Sequence, residues 1–271
     1  MNISLTQFES LSQLLRKETA VVISSGKEYL IESRLTQIAH QEGLASVSEL
    51  IDLVLANRTG PLARRVLLAL TTHETSFFRD VAPFDALRTT VLPELIKRRE
   101  RTRSLTIWSA ACASGQEAYS LAMLLSESFP ELATWSITLL GSDINPALIA
   151  QAREGLYSSL EVNRGLPARL LVKYFVQEAG GYRVKEELRS RVHFFEQNLV
   201  KSWPPMHADI ILLRNVLIYF DLSARIKVLK AMHASLAPDG YLMMGTAEST
   251  RYLHNGFAPA LIPGSNTYIK T

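Results

Sequence analysis

The chain holds one cysteine, Cys112, in 271 residues. No internal disulfide can form, and no Cys/His cluster suggests zinc. No apolar run comes near the roughly 20 residues that a membrane-spanning helix needs. The opening Met1-Asn-Ile-Ser-Leu-Thr-Gln7 has no basic stretch leading into an apolar core, so neither a signal peptide nor membrane insertion is expected. There is no internal repeat, no low-complexity tract and no G-x-G-x-x-G loop, and the last absence argues against a dinucleotide. What is present is an ordinary globular composition. Hydrophobic residues make up 47% of the chain, enough for a sizeable core. The length fits one large domain or two ordinary ones. A cytoplasmic, metal-free protein is expected.

The net charge is +3 with a pI of about 9.0. Much of the basic excess lies in Lys97, Arg98, Arg99, Arg101 and Arg103. Such a cluster suits an acidic partner. It equally suits a solvated helix end, where cations complement the helix dipole. No aromatics are interleaved with it, as a single-strand nucleic-acid binder requires. The helix-end reading is therefore preferred, and no nucleic acid is expected.

The chain has two grammars. Residues 1–72 read as helices only, with shared faces at Phe8/Leu11/Leu14/Leu15, Ile31/Leu35/Ile38, Val47/Leu50/Ile51/Val54/Leu55 and Leu62/Val66/Leu67/Leu70. Ser46 with Glu49 is a capping-box pattern. The second domain, residues 73–271, alternates strands and helices from residue 105 on. Strands are predicted over Leu105–Ser109, Ser136–Ser142, Val192–Glu196, Asp209–Leu213 and Tyr241–Thr246. Helices are predicted over Glu117–Leu125, from Asn145-Pro146 to Glu154, and over Ser223–Leu236 before a Pro238-Asp239-Gly240 turn. Asn266–Lys270 reads as an antiparallel edge strand. The fold class is therefore α/β: a small all-helical N-terminal domain, then a doubly wound Rossmann-like domain. A small β insertion over about 165–191 interrupts the second, around Gly180-Gly181-Tyr182-Arg183-Val184.

Ligands of such sheets bind beyond the carboxyl ends of the strands. Four segments fall there. Ser109-Ala-Ala-Cys-Ala-Ser-Gly115-Gln-Glu117 is a turn of small residues that lets a ligand approach the backbone. Its Glu117 is either a ligand contact or a capping-box partner of Ser114. Asp143 ends the second strand, where a carboxylate can accept both hydroxyls of a ribose. A nucleoside without phosphate fits best, and S-adenosylmethionine (SAM) is the common one. Asn198 ends the third strand and either reads an adenine edge or is a turn asparagine. In Asp209-Ile-Ile-Leu-Leu-Arg-Asn-Val-Leu-Ile-Tyr-Phe-Asp221 a buried strand ends in the polar pair Arg214–Asn215. Upstream, Arg79 beside Phe77 and Phe78 is either a packed ion pair or a bidentate clamp on the cofactor's carboxylate.

With these segments in order, the chain resembles the chemotaxis receptor methyltransferases, the CheR family. The matching stretches are Thr71-Thr-His-Glu-Thr-Ser-Phe-Phe-Arg79, Trp108-Ser-Ala-Ala-Cys-Ala-Ser-Gly-Gln-Glu-Ala-Tyr-Ser120, Ser142-Asp-Ile-Asn145, Ala152-Arg-Glu-Gly-Leu-Tyr157 and Arg214-Asn-Val-Leu-Ile-Tyr-Phe-Asp221. The resemblance implies a SAM-dependent methyltransferase domain that esterifies glutamate side chains on the cytoplasmic helices of chemoreceptors, releasing S-adenosylhomocysteine. It implies that Arg79 and Glu117 hold the methionine end of SAM and Asp143 the ribose. Asn198, Leu199, Arg214 and Asn215 would line the pocket. His73 and Thr75 fall on binding positions, and Arg79 and Tyr219 on catalytic ones.

The chain departs from the family at His73 (usually asparagine), Ala111, Gln116, Ala118 and Thr246. The second helix, which carries several arginines in some relatives, keeps Arg34 but has Gln37, Ile38 and His40 on the following face. The segment Phe175–Val184 is shorter than in relatives that tether to a receptor C-terminal pentapeptide, so no tether is expected, and a monomer is. Two rival functions are a nucleic-acid methyltransferase and a non-catalytic SAM-binding module. Against the first stands Arg214-Asn-Val-Leu217 where an Asp/Asn-Pro-Pro-aromatic loop belongs.

Overall fold

The computed structural model describes residues 3–201, 203 and 206–271. They divide into two compact units. One takes the residues up to Thr72 together with Tyr219–Arg225, and the other takes His73–Ile218 with Ile226–Thr271.

The first unit holds helices α1 (Leu5–Thr19), α2 (Glu28–Gln41), α3 (Val47–Ala56) and α4 (Pro61–Leu70). Their apolar stripes bury one another: Leu11, Leu15, Ile31, Leu35, Leu50, Ile51 and Val66 are fully enclosed. Leu55 and Leu62 are only partly buried at the margin. The Ser46 hydroxyl accepts the Glu49 N–H at 3.2 Å, but the Glu49 carboxylate reaches the Ala45 N–H (2.9 Å) rather than that of Ser46. The predicted capping box is thus displaced by one residue on its return side. Arg34 turns to the end of α4, donating to the carbonyls of Leu70 (2.6 Å) and Thr71 (3.2 Å) and to the Thr72 hydroxyl (3.1 Å). It satisfies carbonyls that a helix end otherwise leaves open.

Asp221 lies in the Tyr219–Arg225 segment, just before α12 (Leu222–Ser235). Its carboxylate accepts the Ala224 N–H (2.8 Å), the Ser223 hydroxyl (2.7 Å) and Arg16 Nε (2.6 Å). Together these hold its pKa down at about 2, against 3.8 unperturbed. A depressed carboxylate pKa adds stability that is fully present above pH 3.8 and is lost as pH falls through about 2. Arg16 is well exposed, so the contribution is about 1 kcal/mol after solvent screening. Asp221→Asn is expected to lower stability by that amount at neutral pH and to flatten the acid limb between pH 4 and 2. Urea melts across that range test it, and curves for mutant and parent that stay parallel would contradict it.

The second unit opens with α5 (Val81–Ala86), a π-helical turn (Leu87–Val91) and α6 (Leu92–Arg98). Strand β1 (Ser104–Ala110), α7 (Gln116–Ser128), β2 (Ser136–Asp143), α8 (Pro146–Glu154), β6 (Val192–Glu196), β7 (Ala208–Leu213) and β8 (Leu236–Met244) then build the sheet. Asn145 caps α8, its side chain accepting the Ala147 N–H, with Pro146 at the first helical position. The seven-stranded order is β6-β2-β1-β7-β8-β10-β9, with β10 (Thr267–Lys270) antiparallel to β8 and to β9 (Phe257–Pro259). The chain runs outward one way from β1 and the other way from β7. The topological switch point therefore lies between them, which is where the carboxyl-end crevice of such sheets opens. β7 is buried along its whole length, with Ile210–Leu213 fully enclosed.

Two predicted features differ. Pro238-Asp239-Gly240 is no turn before the last parallel strand: β8 runs through it, pairing Ala208 with Leu236 and then Ile210 with Tyr241. The extra residues are absorbed as an irregularity in the ladder. β10 is not an edge strand, because β9 covers its outer side. Three residues, Phe257-Ala-Pro259, are too few to show an alternation.

The insertion is a three-stranded antiparallel sheet in the order β3-β5-β4: Leu156–Tyr157, Gly181–Val184 and Phe175–Glu178. Three short helices accompany it, α9 (Ser159–Asn163), α10 (Ala168–Tyr174) and α11 (Glu186–Arg189). Each is too short for its periodicity to register in the sequence.

The basic cluster at the end of α6 is partly neutralised. Arg98 pairs with Glu94 at 2.8 Å, and Arg99 with Asp209 (2.8 Å) and Asp239 (2.9 Å) at the start of the sheet. These partners hold the Arg99 guanidinium firmly charged. Among the described residues, no helix is long and apolar enough to cross a membrane.

Candidate active site

The chain leaves β1 at Ala110 and reaches α7 through a tight left-handed path. Ala111, Ala113 and Gly115 have φ of 61°, 50° and 92°. A Cβ on Gly115 would stand 2.8 Å from the Ala152 methyl and 3.1 Å from the Phe194 ring, so both the backbone and the space demand glycine. Gly115 is itself the N-cap of α7, with no side-chain cap. The Ser114–Glu117 capping-box reading therefore fails: the Ser114 hydroxyl bonds to Gln116 Oε1 at 2.9 Å.

Glu117 instead belongs to a chain of polar contacts at the switch point, centred on the enclosed Arg214. One carboxylate oxygen accepts the Ser109 hydroxyl at 2.6 Å, and the other accepts Arg214 Nη1 at 2.7 Å. Arg214, whose side chain is 2% exposed, also donates through Nη2 to Asp80 Oδ2 (2.9 Å) and to the Arg79 carbonyl (2.6 Å). Its guanidinium lies over the Phe84 ring at 5.8 Å. Its Nε is buried with no hydrogen-bond partner among the described residues, an exception in a folded interior. Removing either partner of such a pair leaves the other as an uncompensated charge.

The segment around Arg79 is fixed from both sides. Phe77 is fully buried and packs edge-on against Tyr157 (5.1 Å) and Phe175 (5.6 Å). The Phe78 N–H donates to the Ser120 hydroxyl at 2.9 Å. Arg79 itself makes no close ion pair among the described residues, against the packed-ion-pair reading, although with Arg164 as the larger cause it helps to hold the exposed Glu74 carboxylate's pKa down. Its Nη1 donates to the Glu74 carbonyl at 2.6 Å, and the side chain is half-buried.

Asp143 is 4% exposed at the end of β2. Its Oδ2 accepts the Ala113 N–H and its Oδ1 the Asn145 N–H, each at 2.9 Å. A carboxylate has about four lone-pair directions, and with the Ile144 N–H also acting on it about one is left for a ligand. His73 Nδ1 stands 3.8 Å from Oδ1. Burial pushes the Asp143 pKa up, and His73 and the backbone N–H groups of Asn145, Ala113 and Ile144 oppose that rise. The backbone carbonyl of Asp143 accepts the Gln197 N–H at 2.8 Å, which ties the loop after β6 to the same strand end.

In that loop Asn198 Oδ1 accepts the Val200 N–H at 3.0 Å, as a turn asparagine does, and Leu199 is buried. Thr75 is half-buried. Asn215 takes a left-handed conformation (φ 59°) just past β7. Tyr219 groups with the helical unit, where its carbonyl accepts the Val22 N–H at 2.9 Å.

The structure thus joins Arg79, Glu117 and Arg214 in one network and His73 and Asp143 in a second. Sequence reasoning missed three members of the surroundings: Ser109, Asp80 and Glu248. Asp80 directly follows Arg79, and Glu248 stands in a glycine-led turn after an apolar strand. Those are the only traces the sequence offers. Cys112, the lone thiol, is buried, and burial pushes its pKa well up, away from reactivity. An apolar groove of about 490 Å³, lined by Leu125, Phe129, Trp135, Ile137 and His193, opens at the opposite ends of the strands and shares no residue with these networks.

A family model described as "CheR methyltransferase, SAM binding domain" matches residues 73–261, and one described as "CheR methyltransferase, all-alpha domain" matches residues 6–71. The chain belongs to the CheR family. It is accordingly a SAM-dependent methyltransferase. Chemotaxis protein methyltransferase 1 of Pseudomonas aeruginosa is 38% identical over 259 residues, spanning 93% of each chain. Chemotaxis protein methyltransferase of Vibrio parahaemolyticus is 38% identical over 264 residues, 95% of this chain and 94% of that one. Chemotaxis protein methyltransferase Cher2 of Pseudomonas putida is 36% identical over 248 residues, 89% and 90%. The expectations of fold class, cofactor and enzyme class stand.

Proposed function

We propose that this methyltransferase esterifies glutamate side chains on the cytoplasmic helices of chemoreceptors, acting in the cytoplasm as a monomer. We further propose that Arg79 and Glu117 hold the methionine end of SAM and Asp143 its ribose, with His73, Thr75, Asn198, Leu199, Arg214 and Asn215 around them. The observation that carries the site is the Ser109–Glu117–Arg214–Asp80 chain at the switch point, centred on the enclosed Arg214 guanidinium, with the buried Asp143 carboxylate at the end of β2. The orphaned Arg214 Nε and the small-residue turn Ala110–Gly115 fit a cofactor with a charged amino-acid end and a nucleoside end.

SAM supplies an electrophilic methyl group on a sulfonium. The glutamate that accepts it is already ionised near pH 7, so no residue has to act as a general base. Arg79 neutralises and orients a carboxylate. Glu117, held by Ser109 and Arg214, offers a fixed negative acceptor. Asp143 would hold the sugar, and the sulfonium and carboxylate charges cancel more favourably the drier the site is. The protein's task is alignment.

Incubation with methyl-labelled SAM and receptor-containing membranes tests the reading. Label should enter receptor and leave as methanol on mild base, the behaviour of a methyl ester. Label found in RNA alone, or SAM binding without turnover, would overturn it in favour of a nucleic-acid enzyme or a regulatory module. A pentapeptide tether is not part of the proposal. Strand β5 is paired on both sides at Tyr182 and Arg183, so it has no open edge there for strand addition.

Two substitutions probe the assignment. Asp143→Ala should weaken SAM binding by about 1–3 kcal/mol through lost hydrogen bonds. Unchanged affinity by calorimetry in a folded variant would remove Asp143 from the site. Tyr219→Phe should leave SAM affinity intact and lower turnover if its hydroxyl orients the reacting groups. Equal turnover would reduce Tyr219 to packing.

A further inference from the structure

The loop after β7 carries Arg214 and Asn215, and it is held from a neighbouring strand end by a residue that the sequence reading gave no role in the site. Glu248 is 7% exposed in the turn after β8. One of its carboxylate oxygens accepts the N–H groups of Val216 (2.9 Å) and Leu217 (2.7 Å). The other accepts those of Asn215 (2.8 Å) and Gly245 (2.8 Å). Three consecutive N–H groups thus converge on one buried carboxylate, at the point where Asn215 adopts φ 59°. Successive backbone N–H groups in such a conformation form an anion-binding concavity, and here the anion is built into the chain. The turn bearing Glu248 is braced in its own right. The Asn266 side-chain amide donates to the carbonyls of Gly245 and Glu248, both at 2.7 Å.

We propose that Glu248 is a positioning residue for the cofactor site. It acts as an internal counter-anion that locks residues 215–217 in the left-handed turn and so fixes where β7 delivers Arg214 to Glu117. The proposal rests on the assignment of Arg214, Asn215 and Glu117 to the SAM site. A non-glycine residue is held at positive φ only when its surroundings over-determine it. Four charge-assisted hydrogen bonds from one carboxylate supply that constraint. No other residue type does the same. Glutamine would turn an amide N–H₂ towards one pair of donors, and aspartate is one methylene too short to reach all four.

The test is calorimetric binding of S-adenosylhomocysteine, with SAM kinetics alongside. Glu248→Gln is expected to weaken product affinity about tenfold or more and to lower kcat at saturating SAM. Glu248→Asp should recover only part. Gly245→Ala disturbs the same anchor while leaving the carboxylate in the chain. An added Cβ would stand 2.7 Å from Glu248 Oε2 and 2.9 Å from the Asn215 backbone nitrogen. It should weaken binding in the same direction, and it keeps the test open if Glu248→Gln fails to fold. Variants that melt at a lower temperature but bind product and turn over like the parent would make Glu248 a structural staple only, and the proposal would fall. A parent protein that itself binds no S-adenosylhomocysteine would instead sink the SAM-site assignment, so the two failures are distinguishable.

Discussion

Arg214→Ala is expected to cost about 3–5 kcal/mol of stability and to abolish measurable SAM binding. The guanidinium is almost wholly enclosed, with Glu117 on one side and Asp80 and the Arg79 carbonyl on the other. Alanine would leave the Glu117 carboxylate with only the Ser109 hydroxyl, a buried charge without its counter-charge. It would also free the Asp80 end of the segment that carries Arg79. Arg214→Lys should rescue little, because a single ammonium cannot reach two carboxylates and a carbonyl from one planar fork. The double variant with Glu117→Ala should be more stable than the sum of the singles predicts, since it removes the stranded charge. Urea denaturation measures all of these. A loss below about 1 kcal/mol for Arg214→Ala, the range of solvent-exposed pairs, would contradict a buried network.

Arg79→Ala should leave the fold nearly intact and lower kcat/KM for SAM about a hundredfold, or about 2.7 kcal/mol of transition-state stabilisation. The reasoning is the converse of that for Arg214. Among the described residues the Arg79 guanidinium donates to the Glu74 carbonyl and makes no close ion pair, and the proposal gives its charge to a ligand carboxylate. Arg79→Lys should restore part of the activity, because an ammonium keeps the charge and loses the bidentate geometry. Full recovery with lysine would mean that only a point charge is needed. A large loss of stability in Arg79→Ala would mean that the side chain is structural after all.

The contrast between these two arginines shows where reading the sequence stops. Both stand beside apolar residues at the edge of an element, and both fall on positions where the family resemblance implies SAM contacts. Only their surroundings separate them: one is held by the carboxylates of Glu117 and Asp80 and the other makes no close ion pair among the described residues. Glu117 makes the same point. Its spacing from Ser114 suited a helix cap as well as a ligand contact. The left-handed path through Ala111, Ala113 and Gly115 gave the cap to Gly115 and turned the carboxylate to Arg214, 97 residues away in the chain.

By itself the sequence determined the helical start, the alternation that follows, the order of the parallel strands' motifs and the absence of a dinucleotide loop. Those follow from periodicity and local turn chemistry, which act over a few residues and are written in consecutive letters. Tertiary structure alone decided that Pro238-Asp239-Gly240 runs inside a strand, that β9 covers β10, that Arg34 is spent on the end of α4 and that Glu248 anchors the turn after β7. Each of these depends on which groups meet across the chain once the strands pair, and a buried polar group takes whichever partner the fold brings within hydrogen-bond reach.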